Sequence, residues 1–169
     1  MGKARVESAV VPDLNKERCA YYLPDGTKVY FIDFKKSYLP ILWEWHKEHA
    51  SINFPYQHPG YALFTHDVIH GTGTKKLAVV NGEVAGFIWF EVEFNEYEEK
   101  EEAMIRYVHV DPSYRGKGLG KILMQFAHNN VDFEAAYCVL GTHVNNESAI
   151  KLYEKMGYRP YRVIMRRDR

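Results

Sequence analysis

Three alternating glycines behind an arginine are the residues of this chain best suited to holding a phosphate. They lie in the stretch Tyr114-Arg115-Gly116-Lys117-Gly118-Leu119-Gly120-Lys121, whose residues 115–121 we call the glycine loop. A strand pattern at 104–110 precedes it, and an amphipathic helix pattern follows it. A turn from strand to helix exposes unpaired backbone N–H groups at the positive end of the helix dipole, where a phosphate binds readily. Arg115 adds a forked cation suited to the same anion.

Two other phosphate-binding loops do not fit this stretch. A P-loop would require glycine at position 115 and Ser or Thr at position 122, where the chain has Arg115 and Ile122. The dinucleotide fingerprint G-x-G-x-x-G fails because Gly116, Gly118 and Gly120 are spaced by two. The pattern that fits is Arg-x-x-Gly-x-Gly, formed by Arg115, Gly118 and Gly120.

With the residues Val108-His109-Val110-Asp111-Pro112 before it, this pattern resembles the acetyl-CoA pyrophosphate loop of the GNAT superfamily of N-acetyltransferases. The resemblance implies that a backbone N–H group of the preceding strand polarises the thioester carbonyl. The pantetheine and acetyl group would then contact Val108, His109 and Val110. The pyrophosphate would contact Arg115, Gly116, Lys117, Gly118, Leu119, Gly120 and Lys121. The simpler alternative is that the three glycines only loosen a turn.

A second motif lies where the same family places one. A strand pattern at 137–144 precedes a helix pattern with Asn146 as its predicted cap and Gly157 as its stop. The sequence Asn-x-x-Ala-x-x-x-Tyr-x-x-x-Gly-aromatic resembles the second half of the GNAT cofactor site. By that resemblance, Asn146 contacts the pantetheine arm and Tyr153 stands near the thioester sulfur. The alternative for Tyr153 is a core aromatic on the apolar face of its helix.

The reaction implied by the resemblance is direct attack of a primary amine on acetyl-CoA in a ternary complex. Tyr153 is assigned to the departing thiolate. Full proton transfer from a phenol of pKa ~10 to a thiol near ~8.5 is uphill by about 2 kcal/mol, so we expect a short hydrogen bond instead. A lysine-like amine is only about 0.04% neutral at pH 7, so its proton must also be removed.

The sequence offers more than one candidate for the general base. Some relatives carry a glutamate on the penultimate strand, twelve positions before the tyrosine, and that position is Gly141 here. His109 has a suitable ordinary pKa and lies beside the acyl site, so it is our predicted catalytic base, although strand alternation would turn it away in one register. The other candidates are His143 and a water relay from Glu91 or Glu93.

Two further functional classes stay open. The missing glutamate also fits a non-catalytic acyl-CoA-binding or regulatory domain of the same fold. His66 and His70 approach the zinc pattern H-E-x-x-H, but Asp67 stands in place of the glutamate and no third ligand is evident. We therefore expect no metal.

Seven of the twelve residues at 91–102, the acidic run, are glutamates. The ordinary interpretation is a solvated hairpin end. The functional one is an acidic lip that attracts a cationic acceptor, namely a polyamine, an aminoglycoside or a peptide amine. In the family the first two helices usually shape the acceptor pocket, although their aromatic residues also suit a core. The stretch 46–49 is predicted as an exposed helix face. The aromatic residues concerned are Trp43, Trp45, Phe54 and Tyr56.

Bulk properties limit the class of protein. The chain has 169 residues, 46% of them apolar, which suits a single domain over 1–169. Because 22 basic residues balance 22 acidic ones, no nucleic acid or membrane partner is expected. Cys19 and Cys138 match no metal spacing and look like free thiols, which indicates a cytoplasmic protein. Homodimers are frequent in the family, so a homodimer is an open expectation.

The patterns predict the order β, α, α, β, β, β, α, β, α, β, an α+β fold. The predicted strands are 20–23 (in a turn-linked pair with the next), 27–34, 77–80, 83–94, 104–110, 137–144 and 162–166, and the early helices are 38–49 and 61–69. The family shares this order over about 27–166, after an N-terminal extension at 1–24. The resemblance implies a three-layer arrangement: a mixed, mostly antiparallel sheet with helices on both faces. Its two late strands splay apart, and the cofactor enters the gap between them.

Overall fold

A computed structural model describes residues 20–53, 60–131, 135–165 and 167, together with the side chains of all of these except 49–53. Six strands form one sheet in chain order: β1 (Tyr21–Tyr22), β2 (Lys28–Asp33), β3 (Thr74–Val80), β4 (Glu83–Asn95), β5 (Lys100–Val110) and β6 (Tyr137–Leu140). The four α-helices in these parts of the chain are α1 (Leu39–Asn53), α2 (Tyr61–His70), α3 (Leu119–Asn130) and α4 (Glu147–Lys155). The predicted α+β fold is confirmed.

The sheet opens between its last two strands. Strands β1 to β5 pair antiparallel, whereas β5 and β6 are parallel. The pairing of β5 with β6 ends at Ile105 and Leu140, although β5 continues to Val110. The last residues of β5 therefore have a strand neighbour on the β4 side and a gap on the β6 side, as the predicted splay requires.

Helices cover both faces of the sheet because two apolar clusters form, one on each side. Helix α3 supplies one with residues at helical spacing, including Leu119, Leu123 and Phe126. Helices α1 and α2 supply the other, including Leu42 and Phe64. A fully buried leucine such as Leu123 contributes about 1.5–3 kcal/mol through burial alone.

Local turn chemistry agrees with the sequence at two points. Asn81 and Gly82 adopt φ of 52° and 77°, which is the geometry of the two-residue hairpin predicted between β3 and β4. Gly157, which follows the C-cap Met156 of α4, adopts φ of 90°, and the N–H of Tyr158 donates to the carbonyl of Tyr153 at 3.0 Å. This is the glycine-terminated helix end that the sequence predicts.

The end of the chain differs from the prediction. Strand β6 stops at Leu140 rather than at residue 144, because 141–146 forms the approach to α4. The predicted last strand at 162–166 is wrong over its described part. Residues 161–165 have no regular structure, and Val163 and Ile164 are 79% and 96% exposed, so no strand partner covers them. Position 166 lies outside the described residues.

Other predictions were wrong in extent or fall outside the described residues. Helix α1 runs to Asn53 and β3 begins at Thr74, so both are longer than predicted. Most of the N-terminal extension, Cys19, Phe54 and Tyr56 lie outside the described residues. No helix in the described ranges combines the length and the apolar character needed to cross a membrane.

Candidate active site

The glycine loop joins β5 to α3 through a tight turn. Asp111 accepts the N–H of Ser113 at 2.9 Å and so starts a short 3-10 turn that ends at Tyr114. Gly116 and Gly118 then adopt φ of 73° and 86°, a left-handed conformation that favours glycine. Gly118 is the N-cap of α3, and no side chain caps this helix end. The first N–H groups of α3 thus have neither an intrahelical acceptor nor a side-chain cap, which fits an anion.

The third glycine of the loop serves packing rather than a turn. A Cβ at Gly120 would stand 3.1 Å from Leu152 Cδ2, so the missing side chain lets α3 and α4 approach closely. A Cβ at Gly118 would stand 3.0 Å from Pro24 Cδ, in addition to its backbone strain. Backbone conformation therefore explains Gly116 and Gly118, and close contact with a neighbouring residue explains Gly118 and Gly120.

The end of β5 directs backbone groups into the gap beside β6. The N–H of Asp111 donates to the carbonyl of Ala85 on the β4 side at 2.9 Å. Backbone hydrogen-bonding directions alternate along a strand. The N–H of His109 therefore also points toward β4, while the N–H groups of Val108 and Val110 point into the gap. The side chains of Val108 and Val110 pack against the α3 cluster. Of the three predicted acetyl contacts, two therefore direct their N–H groups into the gap.

Helix α4 lies on the α3 side of the gap and carries the two residues of the second motif. Asn146 is its N-cap position, as predicted, but its side chain does not cap the helix. Its Oδ1 instead accepts the hydroxyl of Ser148 at 3.3 Å. Tyr153 packs, half-buried, against the same cluster as Val108 and Val110. The structure thus brings Tyr153 and the gap-facing end of β5 to one apolar wall.

Burial shapes the acidity of Tyr153. The apolar surroundings raise the pKa of its phenol above the ordinary value, because they disfavour the phenolate. A phenol of raised pKa gives up its proton even less readily to a thiolate. The arrangement therefore suits a hydrogen-bond donor and not a full proton donor, which extends the expectation from the sequence.

The side chain of Arg115 points away from the rest of the glycine loop and binds α1. Its Nη1 and Nη2 donate to Oε1 and Oε2 of Glu48 at 2.7 and 2.8 Å, and its Nε donates to the carbonyl of Val110 at 3.1 Å. The hydrogen bonds from Arg115 hold the pKa of Glu48 below its usual value, although partial burial opposes this shift. The guanidinium, predicted to meet a phosphate, is directed to a carboxylate.

His109 lies on the α1 side of the sheet and is 6% exposed. Its ring stacks on Trp45 with centroids 4.8 Å apart, and its Nε2 lies 3.6 Å from Oε2 of Glu48. Strand alternation thus turns His109 away from the face that carries Tyr153. The buried and stacked imidazole of His109 is not placed for direct contact with a substrate amine. The catalytic role of His109 stays a prediction.

The other predicted bases are engaged in hydrogen bonds. Arg106 binds both Glu91 and Glu93, the latter at 2.6 Å, and Thr72 also donates to Glu91. Burial alone would raise the pKa of Glu91, but these hydrogen bonds lower it below its usual value. Nδ1 of His143 accepts the N–H of Asn145 at 3.2 Å, so that nitrogen is not available as a base.

The histidine pair on α2 shows proximity without a metal geometry. The rings of His66 and His70 lie 4.8 Å apart, and Nδ1 of His66 lies 3.5 Å from Asp67. Within the described ranges, no three His, Cys, Asp or Glu side chains come together as a metal site.

The sequence reasoning missed Glu48. The stretch 46–49 was predicted as an exposed helix face, and this is wrong for His46 and Glu48. His46 stacks on Phe64 at 4.1 Å, and Glu48 is only 33% exposed. The spacing held a signal, since Glu48 lies three residues after Trp45 and therefore shares its inward face.

Comparisons with known proteins identify the family of this chain. The family model described as the acetyltransferase (GNAT) family matches residues 38–158. An uncharacterized N-acetyltransferase of Methanocaldococcus jannaschii is 31% identical over 87 residues, which are 50% of this chain and only 38% of that protein.

Two solved structures illustrate the similarity of fold. The ribosomal-protein-alanine N-acetyltransferase of Brucella melitensis biovar Abortus 2308 has a TM-score of 0.67 at 18% identity, over 83% of this chain and 99% of that one. Naa50 of Arabidopsis thaliana, in complex with the bisubstrate analogue CoA-Ac-MVNAL, has a TM-score of 0.56 at 26% identity, over 76% of this chain and 82% of that one.

Proposed function

This chain belongs to the acetyltransferase (GNAT) family, as its two motifs predicted, and we propose that it transfers the acetyl group of acetyl-CoA to a primary amine by direct attack in a ternary complex. The observation that carries the proposal is the uncapped start of α3 behind two left-handed glycines. It lies at the same end of β5 where the strand faces a gap.

Each part of the site has one task in this proposal. The N–H groups at 116–121 bind the pyrophosphate, and Asn146 binds the pantetheine arm. An N–H of Val108 or Val110 donates to the thioester oxygen as it gains negative charge. Acetyl-CoA supplies an acyl group on a good leaving thiolate. Tyr153 donates a hydrogen bond to that thiolate, since its phenol stays protonated.

We propose a peptide α-amine as the acceptor. The four candidate bases, His109, His143, Glu91 and Glu93, are all engaged in contacts within the protein, so an acceptor that is already partly neutral has an advantage. A peptide α-amine, with a pKa of about 7.7–8.0, is roughly 9–17% neutral at pH 7, against about 0.04% for a lysine-like amine. A bisubstrate analogue that joins CoA to an acetylated peptide binds the similar protein Naa50. A polyamine or aminoglycoside is the second candidate, which the acidic run favours.

The test compares matched acceptors at constant acetyl-CoA. One peptide has a free α-amine and no lysine, and the second has a blocked α-amine and one lysine. Release of CoA thiol and the mass of each peptide are followed from pH 6 to pH 9. We expect acetylation of the first peptide, with kcat/KM rising to a plateau near its amine pKa of about 8. Turnover of only the lysine peptide or a polyamine would exclude the α-amine proposal. Binding of acetyl-CoA without turnover of any amine would favour the non-catalytic alternative.

A further inference from the structure

The ion pair between Arg115 and Glu48 connects the glycine loop to a helix 67 residues earlier in the chain. All three nitrogens of the guanidinium are engaged, two by the carboxylate of Glu48 and one by the carbonyl of Val110. Such a forked pair is geometrically specific, and its hydrogen bonds are stronger than neutral ones. A phosphate could form a forked pair with this guanidinium only by displacing the carboxylate of Glu48 or the carbonyl of Val110.

The same face of α1 makes two more contacts near the end of β5, both through Trp45. Trp45, one turn before Glu48, stacks on His109 at an interplanar angle of 17°. Its Nε1 donates to Oδ2 of Asp111 at 3.4 Å, and Asp111 begins the turn that leads into the glycine loop. Trp45 and Glu48 of α1 thus both contact the segment that leads from β5 to α3, and Glu48 is the more exposed of the two.

Arg115 stands directly before the first left-handed glycine of the glycine loop, so its pair with Glu48 acts at the loop entrance. Gly116, which follows directly, has a left-handed φ of 73° and no neighbour within 4 Å of its Cβ position. The space on the Cβ side of Gly116 is therefore open. The residue before it, Arg115, restrains the loop entrance through its pair with Glu48.

We propose that Glu48 is a positioning residue of the acetyl-CoA site, and that Arg115 acts as a strut between α1 and the glycine loop instead of as a phosphate ligand. This inference rests on the proposed function, because it presupposes that the loop binds the pyrophosphate. The phosphate is then held by backbone N–H groups whose direction Glu48 sets. Glu48 acts on the affinity for acetyl-CoA and not on the acyl transfer itself.

The experiment measures the Kd of acetyl-CoA by titration calorimetry for the wild type, Glu48→Gln, Arg115→Gln and the double variant. Each single variant is expected to bind about 10-fold more weakly, as for the loss of one charged hydrogen bond. The double variant is expected to match the singles, because both remove one shared strut. At saturating acetyl-CoA, kcat is expected to stay within about twofold, so the effect is confined to KM. Glu44→Gln is the control, since Glu44 on the same helix is exposed and pairs with exposed Lys47 at 2.8 Å.

Arg115→Lys tests whether the fork is required, and Glu48→Gln distinguishes the strut from a phosphate ligand, because only the strut requires the carboxylate. Lysine keeps the charge but loses the fork. A strut requires the fork, so Arg115→Lys is expected to bind acetyl-CoA as weakly as Arg115→Gln. Wild-type affinity in Arg115→Lys, or equal or tighter binding in Glu48→Gln, would overturn the inference and make Arg115 a phosphate ligand. Failure of the wild type to bind acetyl-CoA would instead contradict the proposed function itself.

Discussion

The rings of Tyr153 and Tyr158 lie 5.9 Å apart, yet their hydroxyl groups have different surroundings. The hydroxyl of Tyr158 lies 3.1 Å from Sγ of Cys138 and 2.7 Å from Nε2 of His128, which ties the end of α4 to β6 and α3. Across the described residues, no hydrogen bond is made by the hydroxyl of Tyr153. The hydroxyl of Tyr158 thus serves the fold, whereas the hydroxyl of Tyr153 is available to a ligand.

Removal of the Tyr153 hydroxyl tests its proposed role. We expect Tyr153→Phe to lower kcat by roughly 10²–10⁴-fold with little change in the KM for acetyl-CoA, because the lost hydrogen bond forms in the transition state. Steady-state kinetics with the accepted peptide measure this. Tyr158→Phe is the matched control, and it is expected to lower the melting temperature with kcat nearly retained. An unchanged kcat in Tyr153→Phe would return this residue to the core.

The dependence of kcat on pH follows from the direction of the Tyr153 pKa shift. Burial raises this pKa above its ordinary value of about 10, so the donating, protonated phenol persists above pH 10. With saturating substrates, kcat is expected to show no alkaline decline from Tyr153 below pH 10. A decline near pH 8 or 9 that disappears in Tyr153→Phe would contradict the burial of this phenol.

The left-handed glycines offer a pair of substitutions that separates strain from function. Gly118 and Gly82 have φ of 86° and 77°, and alanine at either is expected to destabilise the fold by about 1–3 kcal/mol. Only Gly118 lies at the start of α3, with Pro24 close to its Cβ position. We therefore expect a large increase in the Kd of acetyl-CoA for Gly118→Ala and none for Gly82→Ala. Equal affinities in both would remove the glycine loop from the cofactor site.

The acidic run predicts a dependence on salt that the structure makes more specific. Arg106 pairs with Glu91 and Glu93, and buried Glu102 accepts the side-chain amide of Asn95 at 2.7 Å. Exposed Glu96 and Glu99 lie at the hairpin tip, roughly 30 Å along β5 from Val110, so they can act only on an acceptor that extends along this strand. For a basic peptide, KM is expected to rise with sodium chloride, and this slope is expected to fall in the double variant of these two residues to glutamine. A flat response for the wild type would exclude the acidic lip.

The parts that sequence predicts are those with local causes. The glycine loop, the Asn81-Gly82 turn and the end of α4 at Gly157 depend on backbone conformations that few residues adopt, so the sequence states them directly. The apolar spacing of α3 likewise records a local period that the structure keeps.

The parts that sequence reasoning missed depend on contacts between distant segments. Nothing near Arg115 shows that its partner is Glu48, because both a phosphate and a carboxylate suit a guanidinium. The face to which His109 turns depends on the register of β5 against β4, which no single strand records. The predicted strand at 162–166 contains a short apolar run, but a strand also requires a neighbouring edge, and residues 161–165 do not pair with one.

The most direct test of the central claim is thermal unfolding of the purified protein with and without acetyl-CoA, run beside Gly118→Ala. At a hundredfold excess over Kd, specific binding adds about 2.7 kcal/mol of stability, which is several degrees for a domain of this size. We predict this shift for the wild type and a much smaller one for Gly118→Ala. The absence of any shift in the wild type would contradict the acetyl-CoA site and, with it, the proposed acetyl transfer.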